Sequence, residues 1–204
     1  MNEREARKQY VRSRQTVVFT FIGAVMAAAM VISLLFYTGA IGSVEHKAIA
    51  VQPNFGVTAP CAPKSQDGNE ATYANNADVT MRVLNGTKFS GFAKAVGDAL
   101  ENRNFRISTI DTFTRQNVTR TTIYFGKAAI PQAYTVASNF TDARMVMDDR
   151  GDKLIDVVVG ATFNDLRTQK SVPAAGAKIT NFSTCKPVDQ MGTLPKAIAH
   201  DPVN

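Results

Sequence analysis

From Val17 to Gly42 the chain carries no charged residue, and this run of 26 positions constrains the molecule more than any other feature. A bilayer core is crossed by about 20 apolar residues in helical form, so the run is long enough to span. A cleaved signal peptide also pairs a basic start with an apolar stretch, but its apolar region is usually ~7 to 15 residues. The run here is roughly twice that, which predicts a retained transmembrane helix over residues 17–42. Arg4, Arg7, Lys8, Arg12 and Arg14 precede it closely, whereas only Lys47 and Lys64 follow within the next two dozen residues. The positive-inside bias therefore predicts a basic cytoplasmic tail over 1–16 and an extracytoplasmic remainder.

Charge has to be read in the light of that division. The 204 residues hold 23 Lys+Arg and 17 Asp+Glu, a formal charge of +6. Five of those cations stand against Glu3 and Glu5 before Thr16, which leaves 18 cations against 15 anions spread over all the rest. No dense basic face is visible in the remainder, and a nucleic-acid binder is disfavoured.

An extracytoplasmic setting changes the meaning of the two cysteines. Cys61 and Cys185 form an even pair, and a disulfide is the default expectation there. Metal binding is not expected, because two Cys and the distant His46 and His200 have no ligand spacing. Residues 43–78 turn to Pro, Gly, Asn, Ser and Ala without a sustained apolar period, which predicts an extracytoplasmic linker. Residues 167–204, interrupted by Pro173, Gly176, Pro187, Gly192, Pro195 and Pro202, predict an irregular tail.

The segment between them, 79–166, has the periodicities of a folded unit. Residues 79–84 alternate as a strand, and Asn85-Gly86 ends it with a turn in which Gly supplies positive φ. Ser90 is placed to cap a helix whose Phe92, Ala93, Val96, Ala99 and Leu100 share one face. Asn102 to Asn104 stop it. Further strands are expected at 105–110, 120–125, 144–147 and 154–159, and a second helix at 128–139 with Pro131 in its first turn. The order β-α-β-β-α-β-β predicts an α+β two-layer sandwich with helices on one face of the sheet.

The stretch VTMRVLNGTKFSGFAKAVGDALENRNF, the TRTTIYFG strand and the closing IDVVVGATFNDL resemble the LytR C-terminal domain family. The motif residues are Asn85, Gly86, Thr87, Gly91 and Ala93, followed late in the domain by Val159, Gly160, Ala161, Phe163 and Leu166. The anchor and the flanking cysteines are similar to stand-alone envelope-integrity members from actinobacteria. The resemblance implies a non-catalytic accessory or scaffold in cell-envelope assembly, acting with LytR-CpsA-Psr phosphotransferases, another envelope protein or cell-wall polymer. No room remains for the phosphotransferase domain itself between the membrane helix and Val79, and no cofactor is implied.

Other chemistry is sparse. The chain has no GxSxG, HExxH or P-loop motif. Asp148, Asp149 and Asp152 could hold a hard cation, but a solvated Asp/Gly hairpin turn is the plainer reading, and Arg150-Gly151-Asp152 is read as a chance tripeptide. The N-terminus of the first domain helix could receive an anion at Thr87, Ser90 and Gly91. Tight packing at Gly91, Ala93 and Gly97 with ordinary capping explains the same residues. Small residues at Gly23, Ala24, Ala27 and Ala28 leave homodimerisation through the membrane helix open. Two alternatives from other classes stand beside the scaffold. One is an enzyme on envelope glycopolymer or lipid-linked precursor, which requires Asp111, Asp148 or Asp149 to converge with Arg120 or Arg144. The other is a eukaryotic type II membrane glycoprotein, suggested by four N-glycosylation patterns at Asn85, Asn117, Asn139 and Asn181.

Overall fold

A computed structural model describes residues 3–38, 52–64 and 68–203. The chain divides into two compact units, Met1–Ala50 and Val51–Asn204. The expected end of the membrane helix at Gly42 and the first part of the linker lie outside the described residues.

In the first unit, α1 runs unbroken over Glu3–Tyr37. It begins well before Val17, so the basic residues expected in a tail are helical. Its stretch Arg12–Tyr37 is 26 residues long and strongly apolar, with none of it buried. At 1.5 Å per residue that is about 39 Å, enough to cross a core of about 30 Å.

The second unit is built on β1 (Thr80–Asn85), α2 (Phe92–Glu101), β2 (Arg106–Thr112), β3 (Thr122–Phe125), α3 (Ile130–Ala137), β4 (Arg144–Met147) and β5 (Ile155–Val159). The order is the expected one. The sheet runs β2-β1-β5-β3-β4. β1 is parallel to β2 and β5, β3 is parallel to β4, and β3 meets β5 antiparallel. Two β-α-β crossovers thus step outward from β5 in opposite directions with their strands reversed. A half-turn about the sheet normal exchanges them, so the shared right-handedness of such crossovers puts α2 and α3 on one face.

Strand alternation supplies that face with apolar side chains. Val83 registers with Val157, Val157 with Ile123 and Ile123 with Met145, and all four are fully buried. Against them α2 lays Ala93, Val96, Gly97 and Leu100, spaced on one helical stripe. From α3 come Ile130, Ala133, Tyr134 and Val136. Burying each of Val96, Leu100, Ile130 and Val136 contributes about 1.5–3 kcal/mol. Asn104, in the left-handed region at φ 65°, turns the chain from α2 into β2, a conformation Asn tolerates.

The flanking segments are irregular, as their composition predicts, yet they are packed rather than loose. Asn54 is buried and clamps the β4 edge, its Nδ2 donating to Met145 O at 2.9 Å and its Oδ1 accepting from Met145 N at 2.6 Å. Cys61 N donates to Lys186 O at 2.8 Å and Lys186 N to Ala59 O at 3.0 Å. Tyr73 N donates to Ala177 O at 2.8 Å and Ile179 N to Ala71 O at 2.9 Å. Residues 59–61 therefore pair with Lys186 and residues 71–73 with 176–179, and Ala59, Tyr73 and Ile179 enter the core. Cys61 and Cys185 are disulfide-bonded across 124 residues of sequence. Pro and Gly removed periodic structure from these arms, but pairing between distant segments still satisfies their backbone groups.

Candidate binding surfaces

The family-like turn after β1 is closed by its own side chains. Asn85 Oδ1 accepts from Thr87 N at 3.0 Å and from Thr87 Oγ1 at 2.9 Å, while Asn85 Nδ2 donates to Phe89 O at 2.7 Å. Thr87 is buried, so its hydroxyl serves the turn. Gly86 is required for a different reason than positive φ, which it does not adopt. A Cβ there would sit 2.7 Å from both Val118 Cβ and Val159 O, so Gly admits the closing loop. Positive φ falls instead at Gly91 (76°), which is the N-cap of α2, and no side chain caps that helix. Ser90 is exposed and does not cap. Thr87, Ser90 and Gly91 thus share one turn, where Thr87 faces inward and Ala93 packs in the core.

Residues 148–154 do not close the expected hairpin, because β3 lies between β4 and β5 in the sheet, and two of the charges in this connection are interior rather than solvated. Arg150 is nearly inaccessible, with Nη2 2.7 Å from Asp148 Oδ2 and 2.8 Å from Asp156 Oδ2. Arg82 completes the group with two bonds to Asp156, at 2.6 and 2.8 Å. Burial opposes the charge on Arg150, but Asp148 and Asp156 outweigh it and hold its pKa above the ordinary value. With its Arg turned inward, the Arg-Gly-Asp tripeptide cannot present all three residues. No group of three metal-ligating side chains forms among the described residues.

The remaining carboxylates of this connection hold the C-terminal segment. Asp149 accepts from Lys196 Nζ at 2.6 Å and Ala197 N at 2.8 Å. Asp152 Oδ2 accepts from Val203 N at 2.9 Å and lies 3.0 Å from His200 Nε2. Burial disfavours the ionised Asp152, but the Val203 amide and His200 together overcome it and its pKa is lowered. A carboxyl with a depressed folded pKa contributes stability above its unfolded value of about 3.9, and loses it as pH falls through the folded value. Protection of the Val203 amide, taken relative to its intrinsic exchange rate at each pH, should therefore be high at pH 6 and lower at pH 2, with Asp152→Asn giving low protection already at pH 6. Equal protection at both pH values would show that the carboxylate is not the anchor.

The convergence an enzyme reading requires is not formed among the described residues. Asp111 is exposed on β2, Asp148 and Asp149 are engaged as above, and Arg120 and Arg144 lie elsewhere. Two of the four glycosylation patterns are also sequestered: Asn85 is bonded within its turn, and buried Asn139 donates to Thr135 O and accepts from Arg103 Nη1. Asn117 and Asn181 are exposed.

Two of the concavities bring ring and cationic side chains together. One, of about 530 Å³, lies between the upstream arm, α3 and the C-terminal arm, with Phe55, Tyr73, Tyr134, Phe140 and Phe182 in its walls. Tyr134 donates to Pro60 O at 3.0 Å, and burial pushes its pKa up to about 12. The other, of about 480 Å³, is lined by Arg115, Arg120 and Arg144 with Phe113, Asn117 and Tyr124. The two meet where the Arg120 guanidinium stacks on the Phe55 ring at 3.7 Å. Sequence reasoning picked out Arg120 and Arg144 only as partners for acids and missed Arg115. The alternation Arg120-Thr122-Tyr124 placed Arg120 on the polar face of its strand, but bringing Arg144 beside it needed the β3–β4 pairing.

Comparison with known proteins agrees with the motif. Residues 78–163 match the family model LytR_C, described as LytR cell envelope-related transcriptional attenuator. Among solved structures, the soluble domain of a conserved hypothetical secreted protein, the Rv2700 ortholog from Mycobacterium marinum, is 26% identical with a TM-score of 0.45. The match covers 48% of this chain and 69% of that one. No curated protein matches the chain.

Proposed function

We propose, starting from the membership of residues 78–163 in the LytR C-terminal domain family, that the chain is a membrane-anchored, extracytoplasmic binding or scaffold protein of the cell envelope. The observation that carries this reading is the placement of that domain behind one apolar helix long enough to span a bilayer. The excess of cations before the helix supports an N-terminus in the cytoplasm. The disulfide fits an oxidising compartment. Its role is non-catalytic: it binds a LytR-CpsA-Psr enzyme, another envelope protein or cell-wall polymer, and the partly exposed ring ladder Phe89–Phe92–Phe163 offers aromatic contact area. Aromatic residues of this kind are enriched where proteins meet.

Crosslinking in intact cells tests the reading. A defined envelope component should be captured by the full chain and lost when 79–166 is deleted with the anchor retained. A captured set unchanged by the deletion would show that the domain is not the binding module.

A further inference from the structure

We infer that the arginine cleft on the helix-free face of the sheet is a phosphate-binding site. Ile123 and Phe125 of β3 point into the core, so Thr122 and Tyr124 between them face the other way, and Arg144 registers beside Thr122 on that same face. Arg120 continues the alternation, and Arg115 and Asn117 close over from the loop 113–121. No carboxylate lines the cleft, and among the described residues none lies within ion-pair distance of its three arginines. Elsewhere on the helix-free side Arg82 and Arg150 share Asp148 and Asp156.

Two of the three cations are held in place before any ligand arrives. Arg144 Nε donates to Thr122 Oγ1 at 3.0 Å, which orients the guanidinium, and its terminal nitrogens make no hydrogen bond among the described residues. Arg120 stacks on Phe55 and donates to Asp142 O at 3.3 Å. Fixing side chains beforehand lowers the entropy lost on binding. Arg115 is exposed and makes no hydrogen bond or ion pair among the described residues, so it can swing onto a ligand. Three guanidinium forks offer more donors than one carboxylate can accept, whereas a phosphate presents several oxygens to satisfy them. The space of about 480 Å³ exceeds a bare phosphate and leaves room for the sugar-sized substituent of a phosphate ester.

The site rests on the geometry of the cleft and not on the envelope reading, so partner capture in cells can fail while phosphate still binds, and the reverse. The experiment is calorimetric titration of the full chain in maltoside micelles, which contain no phosphate, with inorganic phosphate, glucose 1-phosphate and acetate. Saturable phosphate binding at least tenfold tighter than acetate is expected. Arg115→Gln and Arg144→Gln should each weaken it about tenfold, the loss typical of one charge-assisted contact. Arg106→Gln, on exposed β2, should leave it unchanged. Because Arg115 supports nothing else, its variant cannot fail merely by unfolding. Repeating the titration in discs of phosphatidylglycerol separates two sources. Competition by the lipid identifies a headgroup phosphate and its absence a soluble ester, and both support the site. Absence of saturable binding, equal binding of acetate, or an equal loss in Arg106→Gln would overturn it.

Discussion

Reduction of the Cys61–Cys185 bond should lower the unfolding free energy of the unit Val51–Asn204 by about 4–5 kcal/mol, close to the whole margin of an ordinary small domain. The bond closes a loop across 124 positions, and loop-closure entropy makes such long loops the most costly to leave open in the denatured chain. Its location adds a folded-state effect. Residues around Cys61 and Cys185 are hydrogen-bonded to each other, and both arms pack against α3 through Tyr134, whose hydroxyl reaches Pro60, and through Phe182, 5.6 Å from the Tyr134 ring. Losing the covalent link should therefore release the arms before the sheet. The chain has no Trp and five Tyr, so near-ultraviolet dichroism of Tyr73 and Tyr134 reports the arms while far-ultraviolet dichroism reports the sheet. With reductant present, urea unfolding should shift to lower denaturant, with the tyrosine signal lost first. A shift worth under ~1 kcal/mol would mean that the arms hold without the bond, against the loop-closure estimate.

How much of this was legible beforehand depends on the range of the interaction. The five strands and two domain helices follow from local periodicity, and their order matches the structure because alternation of Met81 and Val83, or the stripe of Ala93, Val96 and Leu100, is set by neighbours in sequence. The strand order was not legible, since pairing of β5 with both β1 and β3 joins residues from 30 (Phe125 to Ile155) to 74 (Met81 to Ile155) positions apart. The same limit hid the packed arms. Composition over 43–78 says nothing of Asn54 docking on Met145. Gly86 shows a subtler failure. A glycine after Asn reads as a turn demanding positive φ, yet what it needs is room beside Val118, a residue known to be near only once the loop 113–121 is placed.

The buried quartet Arg82, Asp148, Arg150 and Asp156 misled in the same way, and it carries the second large effect. An Asp-rich hairpin looks solvated, but two positive and two negative side chains here share one neutral cluster, with Asp156 receiving Arg82 on both carboxylate oxygens and Arg150 on one. Removing one partner of a buried ion pair leaves uncompensated charge and costs about 3–5 kcal/mol. Asp156→Ala should fall in that range, because two guanidiniums lose their shared acceptor at a position with no solvent access. Arg82→Ala should cost less: its side chain keeps 15% exposure, and Asp156 retains Arg150. The exposed pair Lys94–Asp98, 2.8 Å apart at helical spacing, provides the contrast. Asp98→Ala should change stability by no more than about 0.5 kcal/mol. Equilibrium urea unfolding of the three variants decides the matter through their order. If Asp156→Ala is as mild as Asp98→Ala, water reaches the cluster, and the quartet is a surface network rather than an interior one. If Arg82→Ala proves the more costly of the two, the bidentate contact outweighs burial, and the tail carbonyl of Ala199 that Arg82 also binds has to be counted in its place.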